Sequence, residues 1–322
     1  MATDAKYIGD FIIKILITEP EYFPKNFFSE LRKFGVVVSN RLDKKDLLTE
    51  ISDTDILIIR VDTKIDKELI DNANKLKIIF SATTGLDHVD TKYADSKGIK
   101  ILNPAGYATN AVAEHMFAMA MGLIRKIPWG FDSVVEGKWD RYKFLGSELH
   151  GKTFGIIGLG KIGKQIAKYA SAFDMNVIAY DPYVTKEVAA ENGVQLTDLE
   201  NLISISDFIT VNVALTDETK NMINKNIFNR MKRTAVILNT SRGAVINEND
   251  LVDALEKKII AGAALDVFAN EPLAADDLLI EYSKTHDNLL LTPHIGGSTQ
   301  ESIEDACKFI LEKLRELQKP SS

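Results

Sequence analysis

Short apolar runs alternate with charged, helix-periodic segments through the first hundred residues. The runs fall at 12–17, 36–38, 56–59, 78–81 and 99–102, and segments such as 44–51 and 66–73 lie between them. A run of about four to six apolar residues reads as a strand buried on both faces, and the intervening periodicity as helices that cover it. The rhythm predicts a small parallel sheet of flavodoxin-like kind. The segment 103–107, with Pro104 and Gly106, breaks this rhythm, and 110–126 has a helical period ending before Pro128. Alternation resumes later: 154–157, 177–181, 208–213, 234–239, 261–266 and 289–292 read as strands, 248–258 as a helix between two of them, and 299–317 as an amphipathic helix. Between the two stretches, residues 129–150 lack clean periodicity and carry both tryptophans, Trp129 and Trp139, with Phe131. So many large apolar groups on an extended arm predict packing against a second copy, a homodimer or higher homo-oligomer joined through residues of about 104–150.

At 322 residues the chain exceeds the size at which one core keeps growing, so two domains are expected. With 45% apolar and 26% charged residues the composition is ordinary for a globular protein. A formal charge of −7 without a Lys/Arg block argues against a nucleic-acid partner or an anionic membrane surface. The single cysteine, Cys307, excludes an internal disulfide and a Cys-based zinc site, and no metal is expected. No apolar run is long enough to span a bilayer, and Met1 to Lys6 lacks a signal-peptide pattern, so the expectation is a cytoplasmic protein.

The first candidate chemistry lies near mid-chain. The run 154–157 leads into Gly158-Leu-Gly160-Lys-Ile-Gly163 and then a helical segment. Gly158 permits the tight turn, Gly160 lets a pyrophosphate approach the backbone, and Gly163 lets helix and strand lie close, while the helix start offers free N–H groups to the phosphates. Asp181, ending the next run, stands at the spacing of an acid that accepts hydrogen bonds from an adenosine ribose. A 2′-phosphate would be repelled there, so the pattern reads as NAD rather than NADP.

Hydride transfer to a carbonyl also needs a proton donor for its oxygen and, where the substrate is an anion such as a 2-keto acid, a cation to hold it. His294 suits the first task, with Glu271 to favour its charged form, and the planar fork of Arg242 suits the second. All three follow predicted strands of the second stretch, where α/β sheets bind ligands. Each also has a plainer reading: Arg242 as a turn residue, Glu271 as a helix-entry acid before Pro272, His294 as a loop histidine bonded to backbone. Among the other histidines, His115 sits on an apolar helix face as a core or interdomain residue, and His88 in a turn after Gly85-Leu-Asp87.

These residues resemble the D-isomer-specific 2-hydroxyacid dehydrogenases. The likeness is carried by Thr83-Thr-Gly-Leu-Asp-His-Val-Asp90, Gly158–Gly163, Met231–Val245, Gly262-Ala-Ala-Leu-Asp-Val-Phe268 and Pro293-His-Ile-Gly-Gly297. Within the family the phosphoglycerate branch is most similar, through Gly137-Lys-Trp-Asp-Arg141 and Gly146-Ser-Glu-Leu-His-Gly-Lys152, and the expectation is a short form lacking a regulatory domain. The resemblance implies an α/β protein of two doubly wound parallel-sheet domains. A flavodoxin-like substrate domain would comprise 1–103 and 293–322, and a Rossmann NAD domain with a dimerisation arm (about 104–150) would be inserted as 104–292, with the active site in the cleft. It implies His294 as acid/base, Glu271 as its orienting partner and Arg242 as substrate anchor. The substrate carboxylate falls near the N–H groups of Thr84 and Gly85, the nicotinamide amide near Asp266, and the diphosphate near Lys161 and Ile162. Thr240 and Gly297 join the cofactor residues, as do Asn212 and Ala214, where the family usually carries His and Pro on the adenine side. Substrate residues would further include Tyr107 and, for a phosphate, Arg60 and Arg141, although Ser81 stands where phosphoglycerate enzymes have an arginine. The implied reaction converts a D-2-hydroxy acid and its 2-keto acid, 3-phosphoglycerate first, with glyoxylate, hydroxypyruvate or D-lactate chemistry as the alternative. An NAD-responsive binding protein without turnover is the reading of another class.

Overall fold

The computed structural model describes residues 13–318. Ile12, where the sequence begins its first strand, and the Met1–Lys6 start lie outside the described residues, as do 319–322. The chain divides into two compact units, the residues up to 108 together with those from 298 onward, and Thr109–Gly297.

The first unit is a five-stranded parallel sheet. Its strands are β1 (Lys14–Ile17), β2 (Val36–Ser39), β3 (Ile56–Ile59), β4 (Ile78–Ser81) and β5 (Lys100–Leu102), in the order β2-β1-β3-β4-β5. That is the flavodoxin-like order. Side chains alternate between two cores, as strand geometry requires. Ile15, Ile17, Ile58 and Phe80 face one, which the helix Gln300–Leu317 closes with Ala306, Cys307, Ile310 and Leu314, while Leu16, Leu57, Ile59 and Ile79 face the other. Burial pushes the Cys307 thiol up to about 12, so it behaves as a small hydrophobe.

The second unit holds seven parallel strands: β6 (Thr153–Ile157), β7 (Asn176–Tyr180), β8 (Gln195–Leu196), β9 (Phe208–Val211), β10 (Val236–Asn239), β11 (Gly262–Leu265) and β12 (Leu289–Leu291). Their order, β12-β11-β10-β9-β6-β7-β8, is the doubly wound Rossmann arrangement with one strand added. No helix among the described residues is long and apolar enough to cross a membrane.

Two expectations need correction. The two-residue strand β8 was not anticipated, because Gln195 and Leu196 offer too little apolar run to read. Residues 129–135 are not extended: Ile127–Val135 is a helix. Lys126, in the left-handed region at φ 56°, ends the helix Thr109–Ile124, and Pro128 then starts the next one, a position where its fixed φ and missing N–H fit. The helical period was hidden because its apolar stripe, Phe131, Val134 and Val135, is exposed rather than matched to a core. Trp129, expected on the open face of the arm, instead packs against the core beneath, with the Lys126 ammonium over its ring at 5.3 Å.

Candidate active site

Every candidate in the second unit except Arg141 and the first-turn helix residues Lys161, Ile162 and Gly163 lies in or at the edge of a loop after the carboxyl end of a strand. The turn after β6 is built as its glycines suggest. Gly158 has φ 94°, and a Cβ there would stand 2.6 Å from Asn212 O. A Cβ on Gly163 would stand 2.2 Å from Gly158 O, whereas one on Gly160 meets nothing within 4 Å. Glycine at 158 and 163 therefore serves the protein's own packing, and Gly160 leaves open space at the start of the helix Lys161–Ala172. That opening fits a phosphate against the N–H groups of Lys161 and Ile162. Asp181 ties the turn to β7: one carboxylate oxygen accepts from Leu159 N at 2.8 Å and the other from Tyr183 N at 2.9 Å, leaving further lone pairs for ribose hydroxyls. Asn212 donates its N–H to Ile157 O at 2.7 Å, and the Ala214 carbonyl accepts from Thr219 Oγ1 at 2.6 Å. Thr240 Oγ1 is buried without a hydrogen-bond partner among the described residues, the kind of orphan a bound ligand would satisfy.

The three chemical side chains are brought together by packing in the second unit. Gly243, directly after Arg242, lies against the Phe268–Ala269 peptide so closely that a Cβ would stand 1.8 Å from Phe268 C. The loop that carries Arg242 is thereby pressed onto the one that carries Glu271. Glu271 Oε1 accepts from Phe268 N at 2.8 Å, and its Oε2 accepts from His294 Nδ1 at 2.6 Å. The Glu271 hydrogen bond raises the His294 pKa above the ordinary imidazole value; burial and the Arg242 charge oppose it but do not win. With Nδ1 committed to the carboxylate, Nε2 is the ring nitrogen left to exchange a proton. The pair is partly open, with side-chain exposures of 39% for His294 and 34% for Glu271.

Asp266 organises the same loop from below. It is 1% exposed and accepts from Thr292 Oγ1 at 2.6 Å, Ile295 N at 2.9 Å and Gly296 N at 2.7 Å, while His115 Nε2 lies 3.2 Å away. Burial pushes its pKa up, yet the His115, Thr292 and backbone hydrogen bonds outweigh this and hold it below the usual carboxylate range. His294, at φ 52°, is bound through its own N–H to Asp266 O, and Gly297 follows at the end of the loop. Sequence reasoning gave Asp266 a cofactor contact and missed this clamp. It also missed Glu248, whose Oε1 accepts from Ala269 N at 2.7 Å, next to the N–H held by Glu271. Burial raises the Glu248 pKa. Its place at the start of the helix Glu248–Glu256, three residues after Val245, gave no sign of a partner so far along the chain.

In the first unit, the loop after β4 carries Thr84 and Gly85, and neither N–H donates to an oxygen among the described residues. Tyr107 OH donates to Ala82 O at 2.8 Å, so its hydroxyl serves the loop, and burial raises its pKa against the opposing charge of Arg60. Arg60, after β3, is 7% exposed, with its guanidinium 4.5 Å from the Tyr22 ring centroid. Its buried Nε has no hydrogen-bond partner among the described residues, while its backbone N–H donates to the buried carboxylate of Glu19 at 3.1 Å. Arg60 lines, with Phe23, Ala82, Tyr107, Ile303 and Ala306, a pocket without room for a water molecule. Ser81 is fully buried and bonded to Thr83 and His88. Arg141 belongs to the second unit and stands exposed on the short turn Arg141–Phe144.

Comparison with known proteins identifies the family. Residues 117–296 match the family model described as D-isomer specific 2-hydroxyacid dehydrogenase, NAD binding domain. The chain is 41% identical over 308 residues to a D-3-phosphoglycerate dehydrogenase of Methanocaldococcus jannaschii, a match that covers 95% of this chain and 57% of that one. It thus spans little more than half the length of that curated relative. Among solved structures, the D-lactate dehydrogenase of Aquifex aeolicus complexed with NAD and lactic acid superposes with a TM-score of 0.83 at 28% identity, over 94% of each chain. A glyoxylate reductase of Paecilomyes thermophila gives 0.84 at 27% identity, over 96% of each.

Proposed function

The chain belongs to the D-isomer-specific 2-hydroxyacid dehydrogenase family, and from that premise we propose that it interconverts a D-2-hydroxy acid and its 2-keto acid with NAD, 3-phosphoglycerate being the first substrate to test. The observation that carries the reading is the 2.6 Å hydrogen bond from His294 Nδ1 to Glu271 in the unit that also bears Arg242 and the glycine turn. The cofactor, when bound, would supply the hydride as NADH or accept it as NAD; Gly158, Gly160, Lys161, Ile162, Gly163 and Asp181 would hold it, with Asn212, Ala214, Thr240, Asp266 and Gly297 as further contacts. In reduction, His294 donates the Nε2 proton to the carbonyl oxygen as the alcohol forms, and Glu271 stabilises the charged ring before that transfer. Arg242 neutralises the substrate anion and polarises its carbonyl. The N–H groups of Thr84 and Gly85 take up the carboxylate. In oxidation the same His294 nitrogen removes the hydroxyl proton.

Support for a phosphorylated substrate comes from Arg60. Its guanidinium makes no direct ion pair among the described residues, and a phosphate can meet a guanidinium through two parallel hydrogen bonds. The closed pocket means that Arg60 must swing outward to do so, with Arg141 as second cation. Ser81, spent on Thr83 and His88, contributes no charge, which favours the smaller keto acids as the second reading.

NADH oxidation compared across phosphohydroxypyruvate, hydroxypyruvate, glyoxylate and pyruvate tests both readings. A KM at least about tenfold lower for phosphohydroxypyruvate than for hydroxypyruvate, lost in Arg60→Ala, is expected for the phosphate reading. Equal KM values would remove the phosphate and leave the reaction, whereas no turnover of any keto acid would favour a binding protein. A second copy of the chain is the proposed cover for the exposed Phe131, Val134, Val135, Trp139, Tyr142 and Leu145. Light scattering at micromolar concentration should therefore give the mass of a dimer or higher oligomer.

A further inference from the structure

The first four carbonyls of the loop after β4, those of residues 82 to 85, each have a side-chain donor. Tyr107 OH donates to Ala82 O at 2.8 Å, and Thr83 Oγ1 to Gly85 O at 2.7 Å. Between them, the Nδ2 of Asn103 donates to two carbonyls in succession, Thr83 O at 3.3 Å and Thr84 O at 3.0 Å. An amide nitrogen carries two hydrogens, so each carbonyl can receive one.

This double donation fixes the direction of two N–H groups. In a trans peptide the C=O and N–H point opposite ways. Successive carbonyls of an extended strand alternate sides, yet here two neighbours face one nitrogen. Their partner N–H groups, those of Thr84 and Gly85, must then point together away from Asn103. Neither has an acceptor among the described residues. Two adjacent N–H groups aimed the same way form a concave anion site, and donation to each carbonyl makes its own N–H a stronger donor.

A proton count extends the arrangement. The single hydrogen of Thr83 goes to Gly85 O, so Thr83 Oγ1 accepts in its 2.6 Å contact with Ser81 Oγ. Ser81 has then spent its own hydrogen and accepts from His88 at 3.2 Å, which requires the proton on His88 Nε2. Ser81 and His88 thus brace the rotamer of Thr83, and Asn103 holds the two peptides that matter.

We propose that Asn103 is a positioning residue for carboxylate recognition: by clamping the Thr83 and Thr84 carbonyls it aims the Thr84 and Gly85 N–H groups at the carboxylate of a 2-hydroxy or 2-keto acid. The proposal rests on the reading above that these N–H groups meet that carboxylate. Asn103 follows β5, 19 and 20 residues from its acceptors, so the clamp crosses between strand ends rather than closing a local turn.

The test uses the full chain with Asn103→Ala, which removes the donor, and Asn103→Asp, which keeps the shape but sets a carboxylate against the two carbonyls. Both should raise KM for the keto acid by about tenfold or more, the range for a lost bond to a charged group, with kcat and the KM for NADH changed less than about threefold. A structural role alone would move all three constants together with the melting temperature, and that pattern overturns the proposal. Titration calorimetry with oxalate as the anion reads the same site without turnover. The unmodified protein should bind it and both variants bind it about tenfold more weakly; equal affinity in all three, or none in the unmodified protein, also overturns the proposal. Keto-acid turnover with an unchanged KM sinks the clamp alone, whereas clamp-dependent oxalate binding without turnover sinks the proposed reaction and leaves the clamp standing.

Discussion

The loop after β4 and the loops after β11 and β12 are held in opposite ways. In the second unit carboxylates collect backbone N–H groups: the buried Asp266 takes those of Ile295 and Gly296, Glu271 that of Phe268, Glu248 that of Ala269. In the first unit, side-chain donors collect carbonyls instead, from Ala82 to Gly85. The first arrangement uses up N–H groups and leaves side chains, Arg242 and His294, to act. The second uses up carbonyls and leaves N–H groups to act. Whichever end of the peptide the scaffold consumes decides what the loop can offer, a movable proton in one case and a fixed pair of donors in the other.

The sharpest way to break the first arrangement is at its working end. His294→Ala should lower turnover by at least about a hundredfold, the lower range for a positioned proton donor, while NADH binding followed by fluorescence persists. Loss of NADH binding as well would mean that the ring holds the loop rather than moving protons. Next comes the carboxylate beneath. Asp266→Asn retains one acceptor oxygen for several donors, and stranding a buried N–H costs about 1–3 kcal/mol, so both the melting temperature and turnover should fall. Because the Asp266 carboxyl is held below its ordinary value, its contribution to stability is present at neutral pH and is lost as pH falls through the folded-state value. The difference in melting temperature between the two proteins should therefore shrink in acid.

Glu271→Gln probes the proton itself. Since Glu271 raises the His294 pKa, charged imidazole in the unmodified protein is present below its ordinary value and disappears as pH rises through the raised one. Removing the carboxylate should shift the alkaline limit of keto-acid reduction, and the acidic limit of hydroxy-acid oxidation, to lower pH. A pH profile that does not move would separate the two residues. The smallest effect is expected at the cofactor: Asp181 should favour NADH over NADPH by at least about tenfold, or roughly 1.4 kcal/mol, and Asp181→Ala should narrow that ratio. Equal rates with both cofactors in the unmodified protein would end the ribose assignment.

What could be read in advance follows from how local each feature is. Two interior strands of the first sheet, 56–59 and 78–81, are buried along their whole length and are legible residue for residue. Several helices of six or seven residues, Thr91–Ser96, Lys186–Glu191 and Leu278–Ser283 among them, are too short for a period to emerge; they begin at Asp90, Thr185 and Asp277, whose side chains accept the first free N–H groups. In the site, Arg242, Glu271 and His294 could be named because their chemistry is distinctive. Glu248 and Asn103 could not, since an acid at a helix start and an amide before a proline each have an ordinary local use. Their partners lie 21 and 19–20 residues away, and only the folded chain brings those together.

The backbone of His294 has a consequence for anyone who would improve this protein. At φ 52° it occupies a region that glycine enters freely and other residues enter at about 1–2 kcal/mol. Its bond to Glu271 is partly open to water, where such ion pairs return roughly 0–1 kcal/mol. A glycine at 294 would forfeit the bond and relieve the backbone, two changes of similar size and opposite sign. Screens that rank variants by heat resistance or soluble yield are therefore nearly blind at this position. A library sorted on folding alone would keep dead variants alongside live ones, and only a turnover assay run in parallel would tell them apart.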